Sequence, residues 1–248
     1  MTAPVFLADA AALRAADVVV LDGDEGRHAA VVRRIEVGET VELTDGAGQL
    51  ARCLVVGVSK QGLTCEVVAR VEVPEPRPRV VVAQAIPKGD RGETAVETMT
   101  EVGVDEILPW SAQRCMVRWT GERGDKALRR WRSTAREAAK QARRAWLPVV
   151  GDPVGTPGLA GRVAGAALAV VLHEEASEPL GAVNIPADGD ILLVVGPEGG
   201  LAPEELDALA TAGAVVARLG PTVLRTSTAG TVAAGIVLAR TPRWTTRP

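Results

Sequence analysis

Short runs of β-branched residues, separated by turn signals such as Asp22-Gly23, fill the first third of the chain. These runs are residues 17–21, 39–44, 50–58 and 64–73. One helix is predicted between Glu25 and Gly38, because apolar and histidine side chains recur there at helical spacing. Its expected buried stripe consists of His28, Val31, Val32 and Ile35. The pattern therefore predicts a small β-rich domain over residues 1–73.

The apolar pattern changes after a stiff, proline-rich linker at residues 74–79, which cannot continue a sheet ladder. Continuous apolar runs predict strands over residues 80–86, 106–110, 166–172, 191–195 and 215–219. Helices are predicted over residues 93–102, 125–145, 203–212 and 231–240. Strands that are apolar on both faces indicate a parallel sheet covered by helices. The second predicted domain, residues 80–248, is therefore α/β.

Length and composition fit a folded chain with its own core. The chain has 248 residues, of which 47% are apolar, and its formal net charge is −3. Its three cysteines are odd in number and lack metal-ligand spacing, which predicts a reducing compartment and no metal site. The opening segment lacks the features of a secretory signal, and no apolar run approaches the ~20 residues of a membrane span. We therefore expect a cytoplasmic protein without a membrane segment.

Positive charge is concentrated between Arg114 and Arg144. This segment holds eleven basic and three acidic residues, a net charge of +8 in a chain whose total is −3. The rest of the chain is correspondingly acidic, which predicts a polyanion-binding surface beside an acidic body. Aromatic residues make up only 2% of the chain, so nucleic-acid binding would rely on charge more than on stacking. The alternative is that the segment is a solvated helix face.

Three loops follow predicted strands and are candidates for a ligand site, because ligands bind beyond the carboxyl ends of parallel strands. They begin after the strands that end near residues 172, 195 and 219. The second loop, GPEGG at 196–200, has glycines that allow close approach of a ligand to the backbone. Its spacing does not fit GxGxxG, and the chain has no GxxxxGK[ST], so neither the dinucleotide nor the phosphate-loop interpretation is supported.

The third loop combines hydroxyls with one cation, Arg225. Its hydroxyl groups, on residues 226–228, would either cap the next helix or contact a ligand. The two histidines, His28 and His173, are candidates for a general base. No serine or cysteine arrangement completes a catalytic triad with either, so structural or ligand-positioning roles are expected for both.

Two C-terminal motifs carry a resemblance to a known family. The runs GPEGG at 196–200 and LGPTVLRTSTAG at 219–230 resemble the C-terminal knot of SPOUT-class RNA methyltransferases. The match is with the RsmE family in particular, whose members methylate N3 of a uridine in 16S ribosomal RNA. Further segments agree in the same order along the chain: residues 28–34, 37–48, 87–90, 100–114 and 136–148.

The resemblance implies an N-terminal PUA-like β-barrel that binds RNA, joined to a SPOUT-type, trefoil-knotted α/β methyltransferase domain that binds S-adenosylmethionine. It also implies a homodimer whose site is completed by the partner chain, acting on 16S ribosomal RNA or the assembled small subunit. The implied cofactor-binding residues are Leu172, His173, Glu174, Gly196, Pro197, Glu198, Gly199, Gly200, Leu219, Gly220, Val223, Leu224, Arg225, Thr228 and Ala229. The implied RNA-binding residues are His28, Arg33, Arg34, Lys88, Arg114, Arg136, Gln141 and Arg144. Arg225 is the candidate catalytic residue, stabilising the uracil anion.

The sequence departs from the family pattern at two places. Ser227 stands where the family commonly has a glutamate, and Lys140-Gln141 stands where it commonly has Glu-Gln. The general base that faces the uracil is therefore unassigned. Two other classes of protein fit the same residues: a non-catalytic RNA-binding or ribosome-assembly protein that retains the knotted scaffold, and a small-molecule α/β enzyme that acts on a nucleotide.

Overall fold

The chain forms two compact units, and the computed structural model describes residues 3–245. One unit consists of Met1–Glu75 with Ala139–Leu147, and the other of Pro76–Ala138 with Pro148–Pro248. The sequence pattern placed residues 139–147 in the second domain, but hydrogen bonds hold them in the N-terminal unit. The Trp146 indole N–H donates to Val73 O at 2.9 Å, and the Leu147 N–H donates to Gly46 O at 2.9 Å. The predicted domains also include residues 1, 2 and 246–248, which lie outside the described residues.

The N-terminal unit contains a five-stranded sheet. Its strands are β1 (Val5–Leu7), β2 (Val18–Leu21), β3 (Thr40–Thr44), β4 (Gln49–Ser59) and β5 (Gly62–Glu72), and its helices include α1 (Ala10–Ala15) and α2 (Gly23–Arg27). The strand order is β1-β3-β4-β5-β2, in which β1 is parallel to β3 and the other neighbours are antiparallel. Inward-facing side chains such as Phe6, Leu43 and Cys53 form one apolar core.

The predicted helix of the N-terminal unit is wrong in its second half. Helix α2 is followed by a single π-helical turn, His28–Val32. A π turn has hydrogen bonds that span five residues, so it rotates the side chains after it away from α-helical spacing. Val31 and Val32 are therefore exposed, contrary to the predicted buried stripe, whereas Ile35 is buried.

The second unit contains a six-stranded sheet. Its strands are β6 (Arg79–Ala85), β7 (Glu106–Trp110), β8 (Val149–Val150), β9 (Leu168–Leu172), β10 (Asp190–Val195) and β11 (Val215–Ala217). Its helices are α3 (Arg91–Val102), α4 (Gly121–Gln141), α5 (Thr156–Gly165), α6 (Pro203–Thr211), α7 (Thr226–Leu238) and α8 (Pro242–Thr245), of which α4 ends in the N-terminal unit. The strand order is β11-β9-β10-β6-β7-β8, and these neighbours are all parallel. The prediction of a parallel α/β sheet is confirmed.

Apolar cores cover both faces of this sheet. Val80 and Val82 of β6 belong to a core shared with α3 and α7, and Val81 and Ala83 belong to a second core shared with α5 and α6. Consecutive residues of one strand thus enter different cores, which explains the continuous apolar runs in the sequence. Between residues 3 and 245, no helix is long and apolar enough to cross a membrane.

Several boundaries in the second unit differ from the predicted ones. Helix α7 already begins at Thr226, so the hydroxyl-rich run after Arg225 belongs to the helix and not to a loop. Helix α4 ends at Gln141, and Arg143 beyond it adopts a left-handed φ of 57°. Arg144 therefore does not lie on that helix. Helix α5 was not predicted because its Ala- and Gly-rich sequence has little apolar periodicity.

Candidate functional site

A cavity of about 310 Å³ lies at the carboxyl ends of three neighbouring strands, β11, β9 and β10. Strand β10 leads directly into the glycine-rich loop 196–200, and Glu174 follows the end of β9. The segment between β11 and α7 contributes Val223, Leu224 and Arg225. Loops that diverge from parallel strands leave such a space, so this is the expected place for a ligand.

The backbone of the loop 196–200 is shaped by its glycines and by Arg114. Gly200 has a φ of +71°, a conformation that side-chain-bearing residues rarely adopt. Its N–H donates to Pro197 O at 3.0 Å and closes a tight turn. The Arg114 guanidinium donates to Gly199 O at 3.3 Å. Gly196, Pro197 and Gly200 thus line the cavity, and Arg114 holds the turn at Gly199, which does not line it.

Thr226 joins two walls of the cavity. Its hydroxyl donates to Gly196 O at 2.7 Å and accepts a hydrogen bond from Gln84 Nε2 at 3.1 Å. Gln84 is fully buried, and its Oε1 has no hydrogen-bond partner among the described residues. Helix α7 approaches this point closely because Gly230 has no side chain: a Cβ there would lie 2.7 Å from Met99 Sδ. The start of α7 and the glycine-rich loop are therefore positioned together.

The cavity carries charges of both signs. Glu198 Oε1 lies 3.7 Å from an Arg91 guanidinium nitrogen and accepts a hydrogen bond of 3.4 Å from the Lys88 N–H. Glu174 brings a second carboxylate to the wall. Arg225 is exposed, and within residues 3–245 its guanidinium makes no hydrogen bond or ion pair. This arrangement suits a ligand that carries both positive and negative groups.

The structure gathers most of the residues that the resemblance implied for the cofactor. The following line the cavity: Glu174, Gly196, Pro197, Glu198, Gly200, Val223, Leu224, Arg225 and Ala229. The following do not line it: Leu172, His173, Gly199, Leu219, Gly220 and Thr228. The cavity also includes Arg91, Val195, Leu201 and Thr226, which were not predicted. Arg91 follows a different strand, and only the position of β6 beside β10 brings it here.

Residues implied in RNA binding are divided between the two units. In the N-terminal unit, Arg33, Arg34 and Gln141 are exposed, while His28 and Arg144 are half-buried. His28 packs edge-to-face on Phe6, with ring centroids 6.3 Å apart. In the second unit, Lys88, Arg114 and Arg136 are exposed.

The two departures from the family pattern have different surroundings. Lys140 Nζ lies 3.0 Å from Glu25 Oε1 in the N-terminal unit, and both side chains are largely buried. Its ammonium is therefore neutralised by a carboxylate supplied from within that unit. Ser227 is buried in the first turn of α7. It places a small hydroxyl, and no carboxylate, beside the cavity-lining Thr226.

The three cysteines are free and buried. Burial raises the pKa of Cys53 and of Cys65 to about 11, and it also raises the pKa of Cys115. Their thiols are therefore protonated at neutral pH and are poor nucleophiles. Within the described part of the chain, no group of three His, Cys, Asp or Glu side chains is placed to hold a metal ion.

Sequence comparison decides the family. A model of an RNA methyltransferase domain matches residues 74–238, and a model of an RNA methyltransferase PUA domain matches residues 21–68. A Mycobacterium tuberculosis protein named ribosomal RNA small subunit methyltransferase E is 54% identical, over 92% of this chain and 88% of its own. The chain belongs to the ribosomal RNA small subunit methyltransferase E family. A Bacillus subtilis protein of the same name is 32% identical, over 84% of this chain and 85% of its own.

A solved structure shares the fold of this chain over almost its whole length. A methyltransferase from Legionella pneumophila, solved in complex with the bound cofactor SAM, superposes with a TM-score of 0.85. It is 28% identical, and the match covers 97% of this chain and 99% of that chain. Together with the matching models, this likeness establishes a mixed α/β fold with a PUA-like domain, and methyltransferase as the class of enzyme.

Proposed function

We propose that this protein transfers the methyl group of S-adenosylmethionine to N3 of a uridine in 16S ribosomal RNA. The observation that carries the proposal is the cavity at the ends of β9, β10 and β11, whose glycine-rich loop and Arg225 match the family motifs. The family membership supports ribosomal RNA of the small subunit as the substrate. A knotted C-terminal region is part of the proposal, and it rests on the resemblance of the runs at 196–200 and 219–230 to the family motifs.

The groups that line the cavity fit S-adenosylmethionine. The carboxylates of Glu174 and Glu198 suit the ribose hydroxyls and the ammonium group of the cofactor. The Arg91 guanidinium and the backbone N–H groups of the glycine-rich loop suit its carboxylate. The side chain of Leu224 supplies an apolar wall for the adenine. When bound, the cofactor supplies a methyl group that is activated by a sulfonium centre.

Arg225 is proposed to assist at the uracil. N3 carries a proton that must leave before the nitrogen can be methylated, and negative charge then spreads to the ring carbonyl oxygens. A guanidinium with no protein partner within residues 3–245 is able to donate hydrogen bonds to such an oxygen and stabilise that charge. Orientation of the two reactants is the larger contribution, since it accounts for ~7–11 kcal/mol in well-aligned systems.

The RNA is proposed to contact both units. We assign residues 1–73 to an RNA-binding domain, residues 74–79 to a linker and residues 80–248 to the methyltransferase domain, with residues 139–147 packed in the N-terminal unit. Exposed arginines such as Arg33 and Arg114 would hold phosphates. Because N3 takes part in base pairing, the target uridine must be unpaired or extruded. A homodimer, whose partner chain completes the site, is part of the proposal.

Two measurements test the proposed function. S-adenosylmethionine is titrated calorimetrically into the full-length protein, and methyl transfer is then mapped on free 16S ribosomal RNA and on assembled small subunits. We expect saturable binding of the cofactor and one N3-methylated uridine. Absence of cofactor binding refutes the proposal. Cofactor binding without methyl transfer to either RNA favours a non-catalytic RNA-binding protein, and a product methylated at another position refutes the assignment of N3.

A further inference from the structure

A second cavity, of about 300 Å³, lies at the carboxyl ends of β6 and β7. Strand β6 is the neighbour of β10, so this cavity and the one described above open along the same edge of the sheet. Residues 87–91 separate them, with Gly89 lining the second cavity and Arg91 lining the first. The Lys88 N–H bonds to Glu198 at 3.4 Å and ties this segment to the glycine-rich loop. The two spaces are therefore adjacent and share a wall.

The second cavity is electropositive. It is lined by the guanidinium groups of Arg118, Arg123 and Arg130 and by a single carboxylate, that of Glu93. Arg130 pairs with Glu93 at 3.7 Å, and Arg118 donates to a backbone carbonyl, Gln113 O, at 2.8 Å. In the part of the chain that the structure describes, the Arg123 guanidinium makes no hydrogen bond or ion pair. At least one cation of this cavity is thus available to an anion.

An indole forms part of the same wall. Trp119 is half-buried and packs edge-to-face on the buried Trp131, with ring centroids 4.9 Å apart and an interplanar angle of 79°. Trp131 in turn lies against Gly92, where a Cβ would be 2.7 Å from the indole. The close packing of Trp131 on Gly92 therefore fixes the position of the aromatic pair. A fixed indole beside guanidinium groups suits a nucleobase and its phosphate, because the base stacks on the ring while the arginines bind the oxygens.

We propose that the second cavity binds a nucleotide of the RNA substrate next to the one that is methylated. Its phosphate contacts Arg123 and Arg130, and its base lies against Trp119. The proposal rests on the proposed function, since it places this nucleotide beside the cavity that holds the methyl donor. A free inorganic anion would bind the arginines but would not stack on the indole. A nucleotide makes both contacts and is therefore the better occupant.

The test measures binding of a fluorescein-labelled oligouridylate to the full-length protein by anisotropy at several salt concentrations. Arg123→Ala is expected to weaken binding about tenfold and to make the salt dependence shallower by about 0.7 in log–log slope, the value for one phosphate contact on a single strand. Arg129→Ala is the matched control, because this exposed arginine lies on the same helix and does not line the cavity. It should change the affinity less than about twofold. Equal losses in the two variants, or no loss in Arg123→Ala, would overturn the proposal.

The aromatic contact is tested separately. Trp119→Leu is expected to weaken oligouridylate binding about fivefold without changing the salt slope, and Trp119→Phe should restore most of the affinity, because stacking requires only a ring. Inorganic phosphate serves as the competitor: if it displaces the RNA and Trp119→Leu binds like the wild type, the cavity is an anion site only and the nucleotide proposal fails.

Two further readouts separate this proposal from the proposed function. Arg123→Ala should bind S-adenosylmethionine like the wild type and should raise KM for the RNA with little change in kcat. If the wild-type protein methylates ribosomal RNA and Arg123→Ala has an unchanged KM, the nucleotide site is refuted while the function stands. If the wild type binds oligouridylate through Arg123 but methylates no RNA, the function is refuted and the site remains.

Discussion

The Thr226 hydroxyl connects two walls of the cavity that we propose binds S-adenosylmethionine, so its removal is expected to weaken cofactor binding. Thr226→Val keeps the shape of the buried side chain and deletes two hydrogen bonds. These are the bond to Gly196 O at 2.7 Å and the bond from Gln84 Nε2 at 3.1 Å. Gln84 already has a buried oxygen without a partner among the described residues, and its nitrogen would keep only the bond to Ala85 O.

The size of the effect follows from these contacts. A hydrogen bond contributes about 0.5–1.5 kcal/mol net, and a buried polar group left unpaired costs about 1–3 kcal/mol. Two lost bonds therefore predict a loss of about 2 kcal/mol in the free energy of unfolding, or about 4–8 °C in Tm for a chain of this size. Because Gly196 lines the cavity, we separately expect the binding of S-adenosylmethionine to weaken by about 1.4 kcal/mol, which is a tenfold rise in Kd.

Calorimetric titration with S-adenosylmethionine measures the affinity, and thermal unfolding measures the stability. Thr100→Val is the matched control, since Thr100 is buried in α3, donates to Val96 O at 2.7 Å and lines neither cavity. It should lose about 1 kcal/mol of stability and keep the wild-type Kd. The reasoning is refuted if Thr226→Val binds the cofactor as tightly as the wild type, or if Thr100→Val loses affinity to the same extent.

Three further predictions concern other groups. Arg225→Ala should lower kcat by about 10²–10³-fold while the affinities for cofactor and RNA change by less than about tenfold; a wild-type rate of methyl transfer would exclude this residue from the chemistry. Cys53 and Cys65 have pKa values raised from 9.0 to about 11, so the folded state retains their protons more strongly than the unfolded chain. The protonated thiols contribute fully to the free energy of unfolding below about pH 9, and this contribution is lost as the pH rises towards 11. Urea unfolding at several pH values should show the decline. A Cys53→Ala/Cys65→Ala variant should show a smaller decline over the same pH range. Asp105 and Arg243 form a buried ion pair at 2.6 Å, so Arg243→Met should lower the free energy of unfolding by about 3–5 kcal/mol. Adding Asp105→Asn to that variant should recover part of the loss, because the unpaired buried carboxylate is removed. Thermal unfolding measures the effect, and additive losses from the two substitutions would contradict the pairing.

Local patterns were sufficient to locate five of the six strands of the second unit and the loops that follow them; the two-residue strand β8 is too short to produce an apolar run. A strand such as β6 is buried on both faces, and this burial is visible in the sequence as an uninterrupted apolar run. The sequence predicts Gly196, Glu198 and Arg225 as ligand-site residues because they follow such strands and match family motifs. The structure places all three at the cavity. For Thr226 the sequence leaves open a helix cap or a ligand contact, because nothing in its neighbours along the chain indicates a hydrogen bond to a loop 30 residues away.

The sequence by itself determined the family, the α/β class and the loops that follow the central strands, because motifs, apolar periodicity and glycine positions are properties of contiguous residues. Only the tertiary structure decided which of these loops share a space. Arg91 lines the cavity of about 310 Å³ because β6 pairs with β10, and the Trp146 indole holds the segment after α4 to the N-terminal sheet through its hydrogen bond to Val73 O. The exposure of Val31 depends on a π turn that apolar spacing does not reveal. Strand order and the packing of distant segments are set by contacts summed over the whole chain, so no local pattern specifies them.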